Sequence, residues 1–439
     1  MRNQPYLLTV LLLCCSLGLA CSATVERHGN EPSAATISAP AADDWPSFGG
    51  PGGDFRVTDL NVAESWPQSG PSELWSQPIG KGYSAVSIAG EHLFVVSRED
   101  NFDVVQARLV SDGSIVWEQR YEELSRENQS TQFGVGPNAA PLIYEGVVVT
   151  LGFAGSLNGW DQSSGEPLWS HQLIDQFGGV PLDFGYAASP IGDGGNVIVL
   201  CGGEQAGAIA FDPATGDERW RGTPTSVSYA TPITIDLDGQ RQIVYFASDA
   251  IVGLDATNGQ QLWSFPVVNQ YHNNATMPLW GDNDLLWVAT QLDGGSRALR
   301  LTRNGDATEV EEVWVSNKMS VHYWNTLRVG DEIYASIGSN ASILAGIDLT
   351  NGEILWRQRG FEQVNFVHTG DLSILLDANG VLAIARLSTE GIDVLDQAVL
   401  SEERHWTAPI LVGTTLFVRN ESTLRAFDLS AQQPAATDD

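Results

Sequence analysis

Short apolar runs alternate with turn-forming residues along most of this chain of 439 residues. Tryptophan recurs among these runs at a nearly constant interval. The successive separations are 42, 52, 51, 43, 51 and 42 residues along the series Trp75, Trp117, Trp169, Trp220, Trp263, Trp314 and Trp356. An interval of about 40 to 50 residues fits one four-stranded blade of a β-propeller with its turns. The pattern therefore predicts an all-β fold of repeated blades.

Most of these tryptophans close the same phrase, in which an apolar strand ends at Asp and a Gly-containing turn leads into the next strand. Four copies read GWDQSSGEPLW, AFDPATGDERW, GLDATNGQQLW and GIDLTNGEILW, and ARLVSDGSIVW is a weaker fifth copy. Gly in the left-handed conformation permits a tight turn of this kind. We expect each tryptophan to fill the wedge between neighbouring blades, which is a structural role.

Three irregular copies decide the number of blades. LRLTRNGDATEVEEVW carries an insertion before Trp314, and ARLSTEGIDVL has Leu395 where tryptophan belongs. The last copy is split, because Ala426-Phe427-Asp428 begins the phrase and Trp75 completes it from the other end of the chain. Such pairing closes a ring and removes exposed sheet edges. The sequence predicts an eight-bladed β-propeller of four-stranded antiparallel blades, with seven blades as the alternative if one copy is only a loop.

The repeated phrase resembles the tryptophan-docking motif of quinoprotein alcohol dehydrogenases and of the BamB family of outer-membrane assembly lipoproteins. The opening segment DWPSFGGPGGDFRVTD, which starts at Asp44, looks like the beginning of bacterial PQQ-like propeller proteins. The resemblance implies a PQQ-like propeller over residues 44–430. It implies two functions: a non-catalytic binding scaffold in the bacterial envelope, with outer-membrane protein assembly as one role, or a dehydrogenase of alcohols or sugars that uses PQQ and calcium.

Both ends of the chain are predicted to lie outside the propeller, and the N-terminal end carries a targeting signal. A positively charged start and a short apolar run predict a signal peptide over residues 1–20. Cys21 follows small residues, as in bacterial lipoprotein signals, so we expect lipidation at Cys21, with ordinary cleavage before it as the alternative. Ser22 favours delivery to the outer membrane, facing the periplasm. Residues 21–43 read as a flexible tether and 431–439 as a disordered tail.

Charge and cysteine content exclude several classes of function. The formal net charge is −32, with 22 Lys and Arg against 54 Asp and Glu. Nucleic acid and anionic lipid both require a basic face, so we expect no nucleic-acid partner and membrane contact only through the lipid. Cys201 is the one cysteine in the predicted propeller. Its apolar context favours a buried strand thiol over a nucleophile.

Candidate binding residues come from the segments that begin the inner strands, because propeller ligands bind at a mouth of the central channel. Aligning the eight segments brings His, Asn, Tyr and Trp side chains to one end of the ring. The candidates are Tyr83, Asn138, Tyr186, Tyr229, His272, Asn273, His322, Trp324, Asn325, His368, His405 and Trp406. They suit a small polar ligand or an envelope protein. The alternative is that they only satisfy one another along a wet channel.

The residues favour binding over catalysis. Quinoprotein alcohol dehydrogenases stack PQQ on a vicinal disulfide, whereas the adjacent Cys14 and Cys15 lie in the signal peptide. The inner-strand segments are poor in Asp and Glu, so PQQ and calcium are disfavoured as cofactors and no catalytic residue is assigned. No histidine pair has metal-ligand spacing, so we assign no metal site. Asp236–Gly239 and Asp282–Asp284 read as turns rather than calcium loops, because they lack the terminal Glu.

Overall fold

The computed structural model describes residues 44–431, apart from 59, 128, 292–293 and 339–342. The predicted signal peptide, Cys21, the tether up to residue 43 and the tail from residue 432 lie outside the described residues. Across the described part of the chain, no helix is long and apolar enough to span a membrane. The helical elements there are α1 (Leu173–Phe177) and a 3-10 turn at Asp282–Asp284.

The described strands form eight sheets arranged as an eight-bladed propeller, which confirms the prediction over the seven-bladed alternative. Two strands, β1 (Arg56–Val57) and β2 (Ser72–Pro78), precede the first complete blade. Blade 1 contains β3 (Ser87–Ala89), β4 (His92–Glu99), β5 (Phe102–Leu109) and β6 (Ile115–Glu122). Blade 2 contains β7 (Leu142–Tyr144), β8 (Val147–Leu151), β9 (Ser156–Asp161) and β10 (Pro167–Gln172).

The next three blades follow in chain order, each from the inner to the outer strand. Blade 3 contains β11 (Ile191–Asp193), β12 (Asn196–Leu200), β13 (Ala208–Phe211) and β14 (Glu218–Arg221). Blade 4 contains β15 (Ile233–Leu237), β16 (Gln240–Phe246), β17 (Ala250–Asp255) and β18 (Gln261–Pro266). Blade 5 contains β19 (Leu285–Ala289), β20 (Ser296–Asn304) and β21 (Ala307–Ser316). Its innermost position is held by Leu279, which makes an isolated bridge to Trp287.

The last three blades bring the chain back to its start. Blade 6 contains β22 (Leu327–Val329), β23 (Glu332–Ile337), β24 (Ile343–Asp348) and β25 (Ile354–Gln358). Blade 7 contains β26 (Asn365–Thr369), β27 (Leu372–Leu376), β28 (Val381–Ser388) and β29 (Gly391–Val399), with β1 added in parallel to β26. Blade 8 contains β30 (Ile410–Val412), β31 (Thr415–Arg419) and β32 (Thr423–Asp428), and β2 is its outer strand.

The repeated phrase is a hairpin whose residue types follow from its geometry. In blade 2, Asp161 Oδ1 accepts hydrogen bonds from the Ser163 and Ser164 N–H groups at 3.1 and 2.8 Å, which fixes the turn. Gly165 then adopts φ 74°. Trp169 pairs with Gly159, where a Cβ would lie 2.3 Å from the indole, so the phrase must begin with a small residue.

Each of several tryptophans docks against the turn of the following blade. The Trp169 Nε1–H donates to the Pro213 carbonyl at 2.8 Å, and the indole packs on Gly216, where a Cβ would lie 2.6 Å from the ring. Trp117 contacts blade 2 in the same way, donating to the Gln162 carbonyl at 3.1 Å. The phrase therefore builds a hairpin and also joins it to its neighbour.

The ring is closed by strands from opposite ends of the chain. Strand β2 pairs antiparallel with β32, and Trp75 lies opposite Ala426. The Trp75 Nε1–H donates to the Val110 carbonyl of blade 1 at 2.9 Å. Fully buried Arg419, on blade 8, donates to the Val96 carbonyl of blade 1 at 2.9 Å. Blades 8 and 1 are thus joined by backbone, indole and guanidinium contacts.

The glycine-rich opening crosses the channel where the inner strands end. Trp45 forms a bridge with Ile88 of blade 1, and the Phe55 carbonyl accepts the His368 N–H of blade 7 at 2.9 Å. Between these anchors the Phe48 ring packs edge-on against Phe55, with centroids 5.2 Å apart. We call residues 45–55 the plug segment. It connects blades 1 and 7 beneath the centre of the ring.

Candidate functional site

The channel mouth is built from the extended segments that precede the inner strands. Side chains of extended chain alternate in direction, and in several segments alternate residues face the channel, as Tyr229 and Thr231 do. Tyr83, Tyr229, Tyr323 and Trp406 occupy equivalent positions in four blades and line one central cavity. Trp324, the neighbour of Tyr323, does not line the cavity; it is 3% exposed, and its ring packs against that of Tyr323 with centroids 4.3 Å apart.

This central cavity, which we call the cup, has a volume of about 320 Å³. Of the predicted site residues, the cup is lined by Tyr83, Asn138, Tyr229, Asn273, His322 and Trp406. Aromatic rings form a nearly continuous wall. Ring centroids lie 5.1 to 6.1 Å apart in the pairs Tyr83–Trp406, Tyr323–Trp406, Phe133–Trp406, Phe133–Phe184 and Phe184–Tyr229. A pocket with aromatic walls and few polar groups suits a ligand with apolar faces.

Polar side chains deeper in the cup join neighbouring blades. Ser189 Oγ accepts the Ala140 N–H at 3.0 Å, and Thr231 Oγ1 accepts the Ser189 N–H at 3.0 Å. Asn365 Oδ1 accepts the Asn325 N–H at 3.0 Å. A hydroxyl that accepts a backbone hydrogen bond still has its own hydrogen to donate. The cup therefore presents neutral hydrogen-bond donors that its own structure leaves available.

The plug segment closes the lower end of the cup. Phe48 lines the cavity together with Ala85, Ser189 and Ala408, which belong to three different blades. Trp45 and Phe55 hold the segment in place, because each is only 1% exposed. The cup consequently opens on one face of the ring.

The cup carries no formal charge near neutral pH. None of the described Asp, Glu, Lys or Arg residues lines it. Burial lowers the pKa of His322 to about 4 and raises the pKa values of Tyr229 and Tyr323 to about 12, so all three side chains are neutral at pH 7. The guanidinium of Arg404 lies over the Trp406 ring, 4.6 Å from its centroid, outside the lining.

A second cavity of about 580 Å³ adjoins the cup. Both cavities are bordered by Phe184, Tyr229, Asn273 and His322. The second also contains His272 and Asp183, and its rim includes Tyr271, which is 62% exposed. Together the two cavities form a groove that runs from the centre of the mouth toward blades 3 to 5.

The remaining predicted site residues lie outside both cavities. The Tyr186 hydroxyl is buried and donates to the Cys201 carbonyl at 2.9 Å. Asn325 donates to the Phe366 carbonyl at 2.8 Å, which joins blades 6 and 7. His405 Nε2 contacts Ser401 Oγ at 2.8 Å, and burial lowers the pKa of His405 to about 4. His368 Nδ1 contacts Ser373 Oγ at 2.9 Å within blade 7, and burial lowers its pKa to about 4.

Many cup-lining residues were not among the sequence candidates, among them Phe48, Phe133, Phe184, Ser189, Thr231, Tyr323 and Asn365. Tyr323 and Phe184 lie inside the aligned segments, and the equivalence of Tyr323 to Tyr83, Tyr229 and Trp406 is the signal that could have found it. Asn365 is equivalent to Asn325, but the alignment of its segment began at Phe366 and selected His368 further along the strand. Phe48 and Phe133 belong to irregular segments without a periodic signal.

The lining does not fit PQQ with calcium. PQQ is a tricarboxylate, which requires cationic or multiple charge-assisted partners. Calcium requires several oxygen ligands, with carboxylates among them. The cup offers neither, since its polar groups are amides, hydroxyls and a neutral imidazole. Among the described residues, no group of three or more His, Cys, Asp or Glu side chains could hold a metal ion.

Comparison with solved structures supports the fold. BamB from Moraxella catarrhalis is 17% identical, covering 83% of this chain and 99% of that one, with a TM-score of 0.58. Quinohemoprotein alcohol dehydrogenase from Comamonas testosteroni is 13% identical, covering 90% and 82%, with a TM-score of 0.61. The computationally designed Ika8 protein is 11% identical, covering 81% and 99%, with a TM-score of 0.55. Because an assembly factor, an enzyme and a designed protein share this architecture, the similarity concerns the fold alone.

Sequence comparison identifies the family. A search of curated proteins found no match to this chain. A family model described as outer membrane protein assembly factor BamB matches residues 108–435, which is most of the chain. The matched region starts in β5 of blade 1 and continues past the closing strand β32. The chain belongs to the family described as outer membrane protein assembly factor BamB.

Proposed function

We propose that this protein is a non-catalytic binding module of the bacterial cell envelope, anchored by lipid at Cys21, which holds its ligand or partner at the channel mouth. The observation that carries the proposal is the uncharged, aromatic-walled cup, closed at one end by the plug segment. A cup of this kind provides contact area and orientation. It has no ionised side chain to serve as general base, nucleophile or metal ligand at neutral pH.

Family membership supports an envelope role. The family description names outer-membrane protein assembly, and we propose that role as the specific form of this binding function. The groove formed by the cup and the second cavity is the surface that we assign to recognition. Exposed Tyr271 and Tyr323 border it, and exposed aromatic side chains are characteristic of binding surfaces.

The competing function, a PQQ-dependent dehydrogenase, predicts a different response to cofactor. A ligand that binds only the folded state raises the free energy of unfolding by about 2.7 kcal/mol at a hundredfold excess over Kd. We expect no thermal stabilisation by PQQ with calcium and no dye-linked oxidation of ethanol or glucose. Calcium-dependent stabilisation that Ala275→Trp abolishes would contradict the proposal, because Ala275 lines the cup and the larger side chain would fill it.

The binding face can be tested in living cells. A benzophenone side chain in place of Tyr271 stands at the rim of the groove, and one in place of Leu168 stands on an outer strand, where it is 43% exposed. We expect illumination to give a discrete adduct from position 271 and none from the matched position 168. Equal labelling at both positions, or none at 271, would refute the assignment of the mouth as the binding face.

A further inference from the structure

The charge pattern around the cup restricts the ligand that can enter it. An anion is disfavoured because no cationic side chain among the described residues lines the cup, while the chain as a whole carries a net charge of −32. A cation is disfavoured because Arg404 already lies against the Trp406 face and no carboxylate lines the cup. The cup is therefore matched to an uncharged ligand.

The polar groups indicate what such a ligand must carry. Ser189 and Thr231 each accept a backbone N–H and keep a hydroxyl hydrogen to donate. Asn138 uses its Nδ2 on the Phe184 carbonyl at 3.3 Å, so its Oδ1 remains an acceptor. These groups lie among aromatic rings. A ligand that fits both features presents hydroxyl groups around its edge and C–H groups on its face.

The closed end of the cup separates a saccharide from a polypeptide. A polypeptide that crosses the cup needs two exits, and Phe48 blocks the lower one. A polypeptide that enters by its end would bring a charged terminus into a cup without a counter-charge, which is costly. The non-reducing end of a glycan is uncharged and can enter a closed cup.

Resting on the proposed binding function, the geometry points to an uncharged saccharide, entering the cup by its chain end and continuing along the second cavity, as the ligand of the channel mouth. The pyranose face lies against the ring wall at Trp406 and Tyr83, whose centroids are 5.1 Å apart. The hydroxyl groups reach Ser189 and Thr231 deeper in the cup. The following sugar units lie toward Asn273, which borders both cavities.

Isothermal titration of the full mature chain tests this assignment with maltotriose, cellotriose and chitotriose as probes. We expect at least one of them to bind in the micromolar to millimolar range. Ala275→Trp, which fills the cup, and Tyr323→Ala, which removes a 39% exposed wall ring, should each weaken binding at least tenfold. Leu168→Trp is the matched control on an outer strand and should bind like wild type.

Three further probes test whether the cup binds the other classes of ligand. Tetramethylammonium, glucuronate and an acetylated, amidated pentapeptide represent cations, anions and polypeptides, and we expect none of them to compete with the trisaccharide. Failure of all three trisaccharides, or binding that survives both cup variants, overturns the saccharide assignment. If the adduct at position 271 is a polypeptide and no trisaccharide binds, the binding function stands and only the ligand class is wrong. If no adduct forms there either, the proposed function fails as well.

Discussion

The pairing of β2 with β32 within blade 8 is the place where the ring is closed by non-covalent contacts alone, because the chain itself joins β2 to blade 1. Trp75 is 8% exposed, packs beside Phe417 with ring centroids 6.0 Å apart, and donates to the Val110 carbonyl. Replacing a buried Trp by Ala costs roughly 3 to 5 kcal/mol. We expect Trp75→Ala to lose this amount and to weaken closure of the whole ring.

Trp169→Ala is the matched control, because Trp169 has an equivalent docking contact but its strand β10 is connected by the chain to β9 of the same blade, whereas β2 is held in blade 8 only by pairing with β32. Thermal melting combined with amide hydrogen exchange distinguishes the two variants. Trp75→Ala should lower protection in blades 8 and 1 together, whereas Trp169→Ala should lower it around blades 2 and 3. A Trp75→Ala protein that melts like wild type, or that loses protection only in β2, would refute closure by the split blade.

The remaining predictions concern the anchor, the buried histidines and the repeated phrase. Cys21→Ala should abolish labelling by a fatty-acid analogue and release the protein from membranes, and equal labelling of both proteins would exclude the anchor. Burial in the folded protein lowers the pKa of His322, His368 and His405 from 6.5 to about 4. The contribution of these neutral histidines to the free energy of unfolding is therefore complete above pH 6.5 and is lost as pH falls toward 4. For His405 the loss approaches about 3 kcal/mol, and His405→Gln should flatten the pH dependence in urea melts. Gly253→Ala should destabilise by about 1 to 3 kcal/mol, since its Cβ would lie 2.1 Å from Trp263, and an unchanged melting temperature would contradict this packing.

Much of the fold could be predicted because the residue types of the repeated sequence phrase each have a local structural role. Asp161 orients the turn, Gly165 supplies the positive φ, and Trp169 needs a small residue opposite it. A hairpin determined by such local requirements can be recognised in each copy. The split copy then indicated closure, and β2 pairs with β32 as predicted.

The site could be predicted only in part, because the direction of each side chain depends on register. Selecting polar and aromatic residues from an aligned segment brings Tyr229 and His322 to the cup, but it also selects Trp324, which lines neither cavity and packs against Tyr323 with ring centroids 4.3 Å apart. Which of two neighbouring aromatic side chains lines the cup depends on packing between blades, which the aligned segments do not show. His368 shows the same limit, since the alignment of its segment began at Phe366 and so missed Asn365, which lines the cup.

The plug segment could not be predicted from local pattern, because its partners are distant in sequence. Trp45 pairs with Ile88 of blade 1, whereas β1 pairs with β26 of blade 7. A segment rich in glycine and proline has weak local preferences. Its conformation is determined by anchors on both sides of the channel, and Phe48 lines the cup only because both are in place.

The contrast between the acidic chain and its neutral cup bears on both candidate functions. A net charge of −32 repels anions at long range, and salt screens that repulsion beyond about 10 Å at ordinary ionic strength. Within the cup, where screening is weak, an anion would also meet no cationic partner. The anion PQQ is therefore disfavoured both by long-range repulsion and by the lack of a cationic partner in the cup. An uncharged ligand is not affected by the net charge of the protein. Ligand affinity should therefore change little with salt concentration, and also little between pH 5 and pH 8, because His322 stays neutral throughout this range.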